Sequence, residues 1–383
     1  MWANWAVTTT NPSTGNSDVD AMRLALSLAR RGLGTVSPNP AVGCVLVRSD
    51  LGHRIVGRGW TQKGGRPHSE TEALGRAGVL AQGAIAYVTL EPCDHKGETP
   101  PCSEALIKAG IKRCVIALED PDPRVSGAGI RRLREAGVET ETGLCEDDAR
   151  NLNAGFIMRV TEGRPLFTLK TATTLDGRVA TKRGNSKWIT GAPARAFAHG
   201  LRADHDAIMI GIGTALADEP SLTCRLPGLE GRSPIRIVAD TSLRLPLASP
   251  LVVTADEVPT WVITVEGCEA GRRKALENKG ITVIEIEAGE DGRPDLKGLA
   301  AELGRRGLTR VLVESGGDLA AAMVKHDLAD RLAWFRSAKL IGGDGRGAVA
   351  AFGIDAVAEA PSFARDSIAE AGDDVLETYR RIS

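Results

Sequence analysis

His68-Ser69-Glu70, followed by Glu91-Pro92-Cys93-Asp94-His95-Lys96-Gly97-Glu98-Thr99-Pro100-Pro101-Cys102, is the stretch around which the chain is organised. Imidazole and thiolate are the donors that a borderline-soft cation selects, and a catalytic zinc takes three protein ligands plus a water. His68, Cys93 and Cys102 supply those three. Glu70, two residues past the histidine, is placed to shuttle protons at the water. A structural zinc site closes with a fourth Cys or His. The spare histidine, His95, lies inside the loop between the cysteines, a position better suited to touching substrate.

This order of residues is similar to the H-x-E…P-C-x-x-C pattern of zinc-dependent nucleobase deaminases. Eight residues rather than two separate the cysteines here. That spacing, ending in Thr99-Pro100-Pro101-Cys102, resembles the deaminase half of the bifunctional riboflavin-biosynthesis deaminase/reductase family (RibD or RibG). Pro38-Asn39-Pro40-Ala41-Val42-Gly43-Cys44 upstream and Asp120-Pro121-Asp122-Pro123 downstream look like that family's other deaminase motifs. The resemblance implies hydrolytic deamination of 2,5-diamino-6-ribosylamino-4(3H)-pyrimidinone 5′-phosphate. Glu70 would then carry the water's proton to the ring nitrogen and on to the departing ammonia. It also implies that Asn39, His95 and Asp120 hold the pyrimidine and ribose phosphate.

Composition sets the outer limits. With 383 residues, 42% hydrophobic and 25% charged, the chain is long enough for two domains, each with its own core. A formal net charge of −1 gives no global field toward nucleic acid or a membrane surface. Seven scattered cysteines suggest no disulfide framework, and zinc thiolates persist best in a reducing compartment. Met1 to Asn16 lacks the basic start and apolar centre of a signal peptide, and no run of about 18 apolar residues could span a bilayer. A cytoplasmic protein is the expectation.

Along the chain, residues 1–17 are polar and read as a disordered tail. A helix follows to Arg31-Gly32, then strands over 42–47 and 55–59 joined by a hairpin. A helix opens at Pro67-His68, which puts His68 and Glu70 in its first turn, where the positive dipole favours an anion. Strand 84–90 delivers Glu91-Pro92-Cys93, and the next helix starts at Cys102. Strand 114–118, helix 127–136 and a short strand near Val138 complete an alternating unit, with both ligand groups in the crevice at the strand ends. After a helix over 146–157, Gly163-Arg164-Pro165 reads as a hinge. A second α/β pattern then has strands at 166–171, 207–211, 235–239, 261–264, 281–286 and 310–313, and helices around 194–202 and 318–325.

This second half carries K-x-x-x-x-L-D-G-R-x-A from Lys170, S-x-W-I-T from Ser186, G-x-G-T-x-L-A-D-x-P-x-L-T-x-R from Gly211, V-E-x-G-G from Val313, and the late Lys339-Leu340-Ile341-Gly342-Gly343. These resemble the reductase half of the same family, which has a dihydrofolate-reductase-like fold. The resemblance covers essentially the whole chain after the tail. It implies NADPH-dependent reduction of the deaminated product's ribosyl chain to give 5-amino-6-ribitylamino-uracil 5′-phosphate. Gly316 and Gly317, at a strand end opening a helix, offer free backbone N–H groups to the pyrophosphate. Thr214, Asp218, Trp188 and Ala172 match positions near nicotinamide and ribose. Ser186, Arg202, Leu222, Arg225 and Glu314 match the substrate side, with the two arginines expected to converge on its phosphate. Arg244 and Thr241 are candidates for the cofactor's 2′-phosphate.

The fold expected is therefore α/β in two domains: a cytidine-deaminase-like three-layer α/β/α zinc domain over 18–162 and a dihydrofolate-reductase-like α/β domain over 163–383. The resemblance also implies phosphorylated pyrimidine substrates and a homo-oligomer, a homodimer through the reductase domain. Three departures bear on the first site: Ser69 where the family reads H-A-E, Glu98 where a basic residue precedes T-P-P-C, and Ala128 where an arginine is common, with Lys96 as the candidate replacement cation. Glu98 and Ala128 leave open a relative in which only the reductase works. A zinc-stabilised nucleotide-binding module without turnover is the non-enzymatic alternative, and it has no use for Glu70. If Lys96 takes over the phosphate contact, Lys96→Ala raises the deaminase KM strongly with little change in kcat. An unchanged KM in steady-state assays would remove Lys96 from the site.

Overall fold

Strand Gly43–Arg48 is buried along almost its whole length in the computed structural model, so it needs cover on both faces. The structure describes residues 17–94, 100–122 and 126–382. The expected N-terminal tail, and His95, Lys96 and Glu98, lie outside them. The chain divides into two compact units between Gly163 and Arg164.

The first unit has a five-stranded sheet in the order Arg54–Trp60, Gly43–Arg48, Ile85–Val88, Arg113–Ile116, Glu139–Thr142. The first two junctions are antiparallel and the last two parallel. Glycines set how closely its helices approach. A Cβ on Gly43 would stand 1.9 Å from the carbonyl oxygen of Ala25, on helix Ser17–Ala29. One on Gly59 would stand 2.1 Å from that of Ser69, and one on Gly57 2.3 Å from that of Ala73, both on helix Ser69–Ala77. Gly59 pairs with Cys44, the neighbour of Gly43. Successive residues of a strand point to opposite faces, so the two helices cover opposite sides of the sheet, as a three-layer α/β/α domain requires. Met22, Ala25, Leu46, Ala73 and Tyr87 join its core.

The second unit has a nine-stranded sheet in the order Thr282–Ile286, Thr260–Val265, Ile235–Ala239, Ala207–Gly211, Arg310–Val313, Leu166–Thr173, Arg331–Arg336, Asp374–Arg381, Phe363–Ala371. The first seven run parallel and the last two junctions are antiparallel. Alternate residues of the central strands feed two cores: Ile237, Ile263 and Val311 one, Val238, Val262 and Leu312 the other. Strands Ala207–Gly211 and Arg310–Val313 run directly into helices Ile212–Asp218 and Gly317–Lys325 at the same edge of the sheet. Arg164, the first residue of the second unit, pairs with Asp330 of that unit through two bonds of 2.9 Å.

The last three strands were not legible from the sequence. Phe363–Ala371 is largely exposed and carries Arg365, Asp366 and Glu370, which dilutes the apolar period. Its hairpin partner begins just past Gly372, which has φ +74, the left-handed turn conformation glycine adopts freely. Helix Leu296–Arg305 is likewise additional to the sequence reading.

Because the sheet leaves no room for a side chain at Gly59, Gly59→Ala should destabilise the first unit by ~1–3 kcal/mol through overpacking and weaken divalent-metal retention. Gly75→Ala, on the same helix but with nothing within 4 Å of the added Cβ, should be neutral or slightly stabilising. Calorimetry and metal analysis of both variants would check this. Equal behaviour of the two would contradict the close approach.

Candidate active sites

His68 is the N-cap of helix Ser69–Ala77, Cys102 is the first residue of helix Cys102–Lys108, and Cys93 lies on the segment after strand Ile85–Val88. Their donor atoms all fall within 4.8 Å of one another. The Nδ1 of His68 is 3.3 Å from the Cys102 Sγ and 3.6 Å from the Cys93 Sγ. Bond lengths of ~2.3 Å to sulfur and ~2.0 Å to nitrogen in a tetrahedron put donors roughly 3.5–3.8 Å apart, so the spacing suits zinc. Cys93 is held down to about 4, by hydrogen bonds from the Cys102 thiol and from His68 and the Cys102 amide, against the effect of burial. In turn its hydrogen bond raises His68. A thiolate facing an imidazole is the donor chemistry zinc prefers.

Glu70 is 3% exposed. Burial, then the charge of Cys93, pushes its carboxyl upward, while His68 and the Ser69 hydroxyl pull the other way. Ser69, fully buried, donates to Glu70 Oε2 at 2.8 Å. The departure at Ser69 therefore places a donor on the expected proton shuttle.

A clasp closes the long cysteine loop. The Cys102 amide donates to the Cys93 Sγ at 3.4 Å, the Ser103 amide to the Cys93 carbonyl at 3.2 Å, and the Ser103 hydroxyl to Asp94 at 2.6 Å. Arg132 Nε adds a 2.7 Å ion pair to Asp94. With the two ends fixed to each other, the number of residues between the cysteines no longer decides where they stand. Glu91, given no role by the sequence reading, is buried and accepts from the amides of Asp120, Gly127, Gly129 and Ile130 at 2.9–3.2 Å. It caps helix Ala128–Glu135, where Ala128 stands, and holds the segment that carries Asp120. Asn39 is half-buried with its side chain against Gly65.

In the second unit a cavity of about 1560 Å³ opens at the carboxyl ends of the central strands. Ala172, Ser186, Trp188, Arg202, Thr214, Asp218, Leu222, Arg225, Glu314, Gly316 and Gly317 all line it, with Thr241 and Arg244. Ten Lys and Arg against six Asp and Glu surround it, an electropositive hollow in a chain whose net charge is −1. A Cβ on Gly316 would meet only Thr214 Oγ1, at 3.9 Å, so the approach to the helix start is open. The volume, the cationic lining and this open helix start suit a phosphorylated dinucleotide.

Arg202, expected on the substrate side, lines the cavity and pairs with Glu314. Its Nε and Nη2 grip Glu314 at 2.8 and 3.0 Å, and its Nη1 donates to the Thr223 carbonyl at 3.0 Å. Lys170 adds a 3.4 Å contact to Glu314. Burial alone would raise the Glu314 carboxyl, but Lys170 and Arg202 overcome it and hold it well below its ordinary value. A nearly buried carboxylate has to be paired, and this one takes the arginine. Arg225 stays exposed, donating to Ser221 Oγ at 2.7 Å, and the intervening Leu222 has φ 55. His199, absent from the sequence reading, also lines the cavity. Burial, with Arg202 and Arg225 nearby, lowers it to about 4, so its ring is neutral. The signal was present: Arg195, His199 and Arg202 stand at i, i+4 and i+7 on one helix face.

Two family models match the chain. The "RibD C-terminal domain" covers residues 165–376 and the "Cytidine and deoxycytidylate deaminase zinc-binding region" residues 16–118. The riboflavin biosynthesis protein RibD of Aquifex aeolicus is 40% identical over 364 residues, 95% of this chain and 98% of that one. RibD of Escherichia coli K12 is 40% identical, covering 92% and 96%. Among solved structures, Acinetobacter baumannii RibD superposes with a TM-score of 0.85 at 37% identity, covering 96% of this chain and 99% of that one. A Thermotoga maritima diaminohydroxyphosphoribosylaminopyrimidine deaminase/5-amino-6-(5-phosphoribosylamino)uracil reductase does so with 0.83 at 34%, with the same coverage.

The second unit should lose stability in acid in two stages. His205 is 3% exposed, with its ring nitrogens 2.7 Å from the Leu201 carbonyl and 3.0 Å from Thr168 Oγ1. Burial, then Arg310, lowers it from 6.5 to about 3. The unfolded chain therefore takes that proton first, and stability present above pH 6.5 is lost as pH falls toward 3. Glu314, depressed, contributes above its ordinary 4.5 and ceases to as pH drops below it. Melting curves of the wild type and of His205→Gln across this range would check the assignment. A wild-type profile flat from pH 7 to 5, or one that His205→Gln leaves unchanged, would contradict it.

Proposed function

The chain belongs to the RibD family of riboflavin-biosynthesis enzymes, and from that premise we propose how its own residues divide two reactions. It is a diaminohydroxyphosphoribosylaminopyrimidine deaminase joined to a 5-amino-6-(5-phosphoribosylamino)uracil reductase. Its cofactors are zinc in the first unit and NADPH in the second.

In the deaminase half, His68, Cys93 and Cys102 hold the zinc, which when bound brings a water's pKa toward neutrality. Glu70 takes one proton from the attacking water and gives it to the ring nitrogen, then carries the remaining hydroxyl proton to the amino group, which departs as ammonia. Ser69 keeps the Glu70 carboxylate in place through its 2.8 Å bond. Asn39, His95, Lys96 and Asp120 contact the pyrimidine and its ribose phosphate. The observation that carries this reading is the convergence of three soft donors beside a buried carboxylate.

In the reductase half, NADPH supplies the hydride, and the protein's work is orientation and electrostatics. Gly316 and Gly317 present backbone N–H groups to the pyrophosphate, and Thr214, Ala172 and Trp188 line the nicotinamide and ribose. Asp218, exposed at the end of its helix, positions the reacting end or delivers a proton. Ser186, Leu222 and Arg225 hold the substrate phosphate and ribose. Arg202 acts through Glu314, fixing the carboxylate that meets the sugar.

The retained donor set and Glu70 disfavour a relative that has lost deamination. The protein works in the cytoplasm as a homodimer through the reductase half. No described helix is long and apolar enough to cross a membrane, and Leu332, Trp334, Phe363 and Tyr379 line a hollow on the last three strands that supports pairing there.

The test is ammonia release from the diamino-pyrimidinone phosphate, followed with NADPH oxidation in one cuvette. Ammonia without NADPH, then matching NADPH consumption, is expected. Chelation of the metal should abolish ammonia release and spare reduction of supplied deaminated substrate. Reduction alone from zinc-replete protein would mean a dead first site.

A further inference from the structure

The segment Pro220–Arg225, which carries Leu222 and Arg225 of the substrate side, has no helix or strand of its own. Backbone groups without a ladder need other partners, and here residues outside the segment supply them. Arg236, fully buried, donates to the Ser221 carbonyl at 3.3 Å, and Arg202 to the Thr223 carbonyl at 3.0 Å. Ser233 Oγ accepts from the Cys224 amide at 3.1 Å. The Arg225 amide donates to Nδ1 of His199 at 3.3 Å, and the Cys224 thiol to the His199 carbonyl at 3.4 Å. Leu222 turns the segment with φ 55.

Of these clamps, Arg202 and His199 line the large cavity. Arg202 is committed to Glu314, whereas His199 bears directly on Arg225. A ring nitrogen accepts only when it carries no proton, so the bond from the Arg225 amide requires a neutral ring protonated at Nε2. The surroundings keep it neutral. Burial, then Arg202, then Arg225 lower His199 to about 4, with Glu314 and the Thr223 backbone opposing. Arg195, one turn back on the same helix, adds a further positive charge to that face. An imidazolium would set an N–H against an N–H and let the segment go. The cations that await an anion therefore also protect the bond that holds one of them in place.

Arg225 is held at both ends. Its amide is on His199, and its Nη1 is on Ser221 Oγ at 2.7 Å. An arginine on a loose loop must be ordered at the moment of binding, and one whose main chain is pinned meets a phosphate with less freedom to lose.

We propose that His199 is a positioning residue of the reductase site: its neutral ring pins the Arg225 main chain and so sets where the Arg225 guanidinium meets the substrate's phosphate. The inference rests on the reductase reading and on Arg225 as a substrate contact. Its test is a double-mutant cycle on the full-length protein, with His199→Ala, Arg225→Ala and both together. The readouts are the reductase KM and kcat for the deaminated substrate and calorimetric binding of NADP⁺. His199→Ala should raise the substrate KM about tenfold, with a smaller change in kcat and no loss of NADP⁺ binding. In the Arg225→Ala background the same change should add less than about twofold, because coupled residues do not add. His199→Asn, whose Oδ1 can stand where Nδ1 stood, should recover most of the wild-type KM. His199→Gln, whose carbonyl lies one bond further out, should not. KM factors that multiply in the double mutant would overturn the positioning role. So would an equal loss of NADP⁺ binding, or His199→Gln recovering as much as His199→Asn. A wild type that neither binds NADP⁺ nor reduces the substrate would remove the reductase reading, and the inference with it.

Discussion

The first site depends on how closely helix Ser69–Ala77 can lie on the sheet. Gly57 and Gly59 remove the side chains that would hold it off, and the helix carries His68 at its cap and Glu70 in its first turn. Shifting that helix by the width of a methyl group would move one metal donor and the proton shuttle together. The two sulfur donors are set separately, by the Cys93–Ser103 clasp. Geometry here is fixed by main chain and burial, so the donors stand within tetrahedral reach on the protein's own account.

The second site follows another rule. There the controlling group is Glu314, a carboxylate drawn into a cavity wall and neutralised by Arg202 and Lys170. Removing Arg202 would leave the carboxylate only the 3.4 Å Lys170 contact at a cost in stability, so the Arg202–Glu314 pair ties the end of strand Arg310–Val313 to its neighbouring helix. Other cations line the same cavity, among them Lys187, Arg225 and Arg244. Arg225 sits on a short segment whose backbone is clamped by His199, Ser233 and Arg236.

The chemistry was more legible in the sequence than the architecture. His68, Cys93, Cys102 and Glu70 belong to residue types few other roles require in that order, and the motifs from Lys170 to Gly317 supplied a large part of the cavity wall, though not His199. What stayed hidden depends on long-range pairing. Arg202 and Glu314 are 112 positions apart, and nothing local shows that one occupies the other. Glu91 finds its four amides 29 to 39 positions further along the chain. Strand Phe363–Ala371 is largely exposed and mixes charge with small residues, and its partner Asp374–Arg381 buries Asp374 and Glu377 beside Leu376, so neither shows a clean apolar period. Ser69 looked like a mild substitution because its hydrogen-bond partner is its own neighbour.

The most direct measurement is zinc stoichiometry combined with X-ray absorption at the zinc edge on the purified, full-length protein. The account predicts one zinc per chain, with two sulfurs at ~2.3 Å and one imidazole nitrogen at ~2.0 Å and the fourth position filled by a light water oxygen. Three or four sulfurs, a second histidine, or no stoichiometric zinc would contradict it.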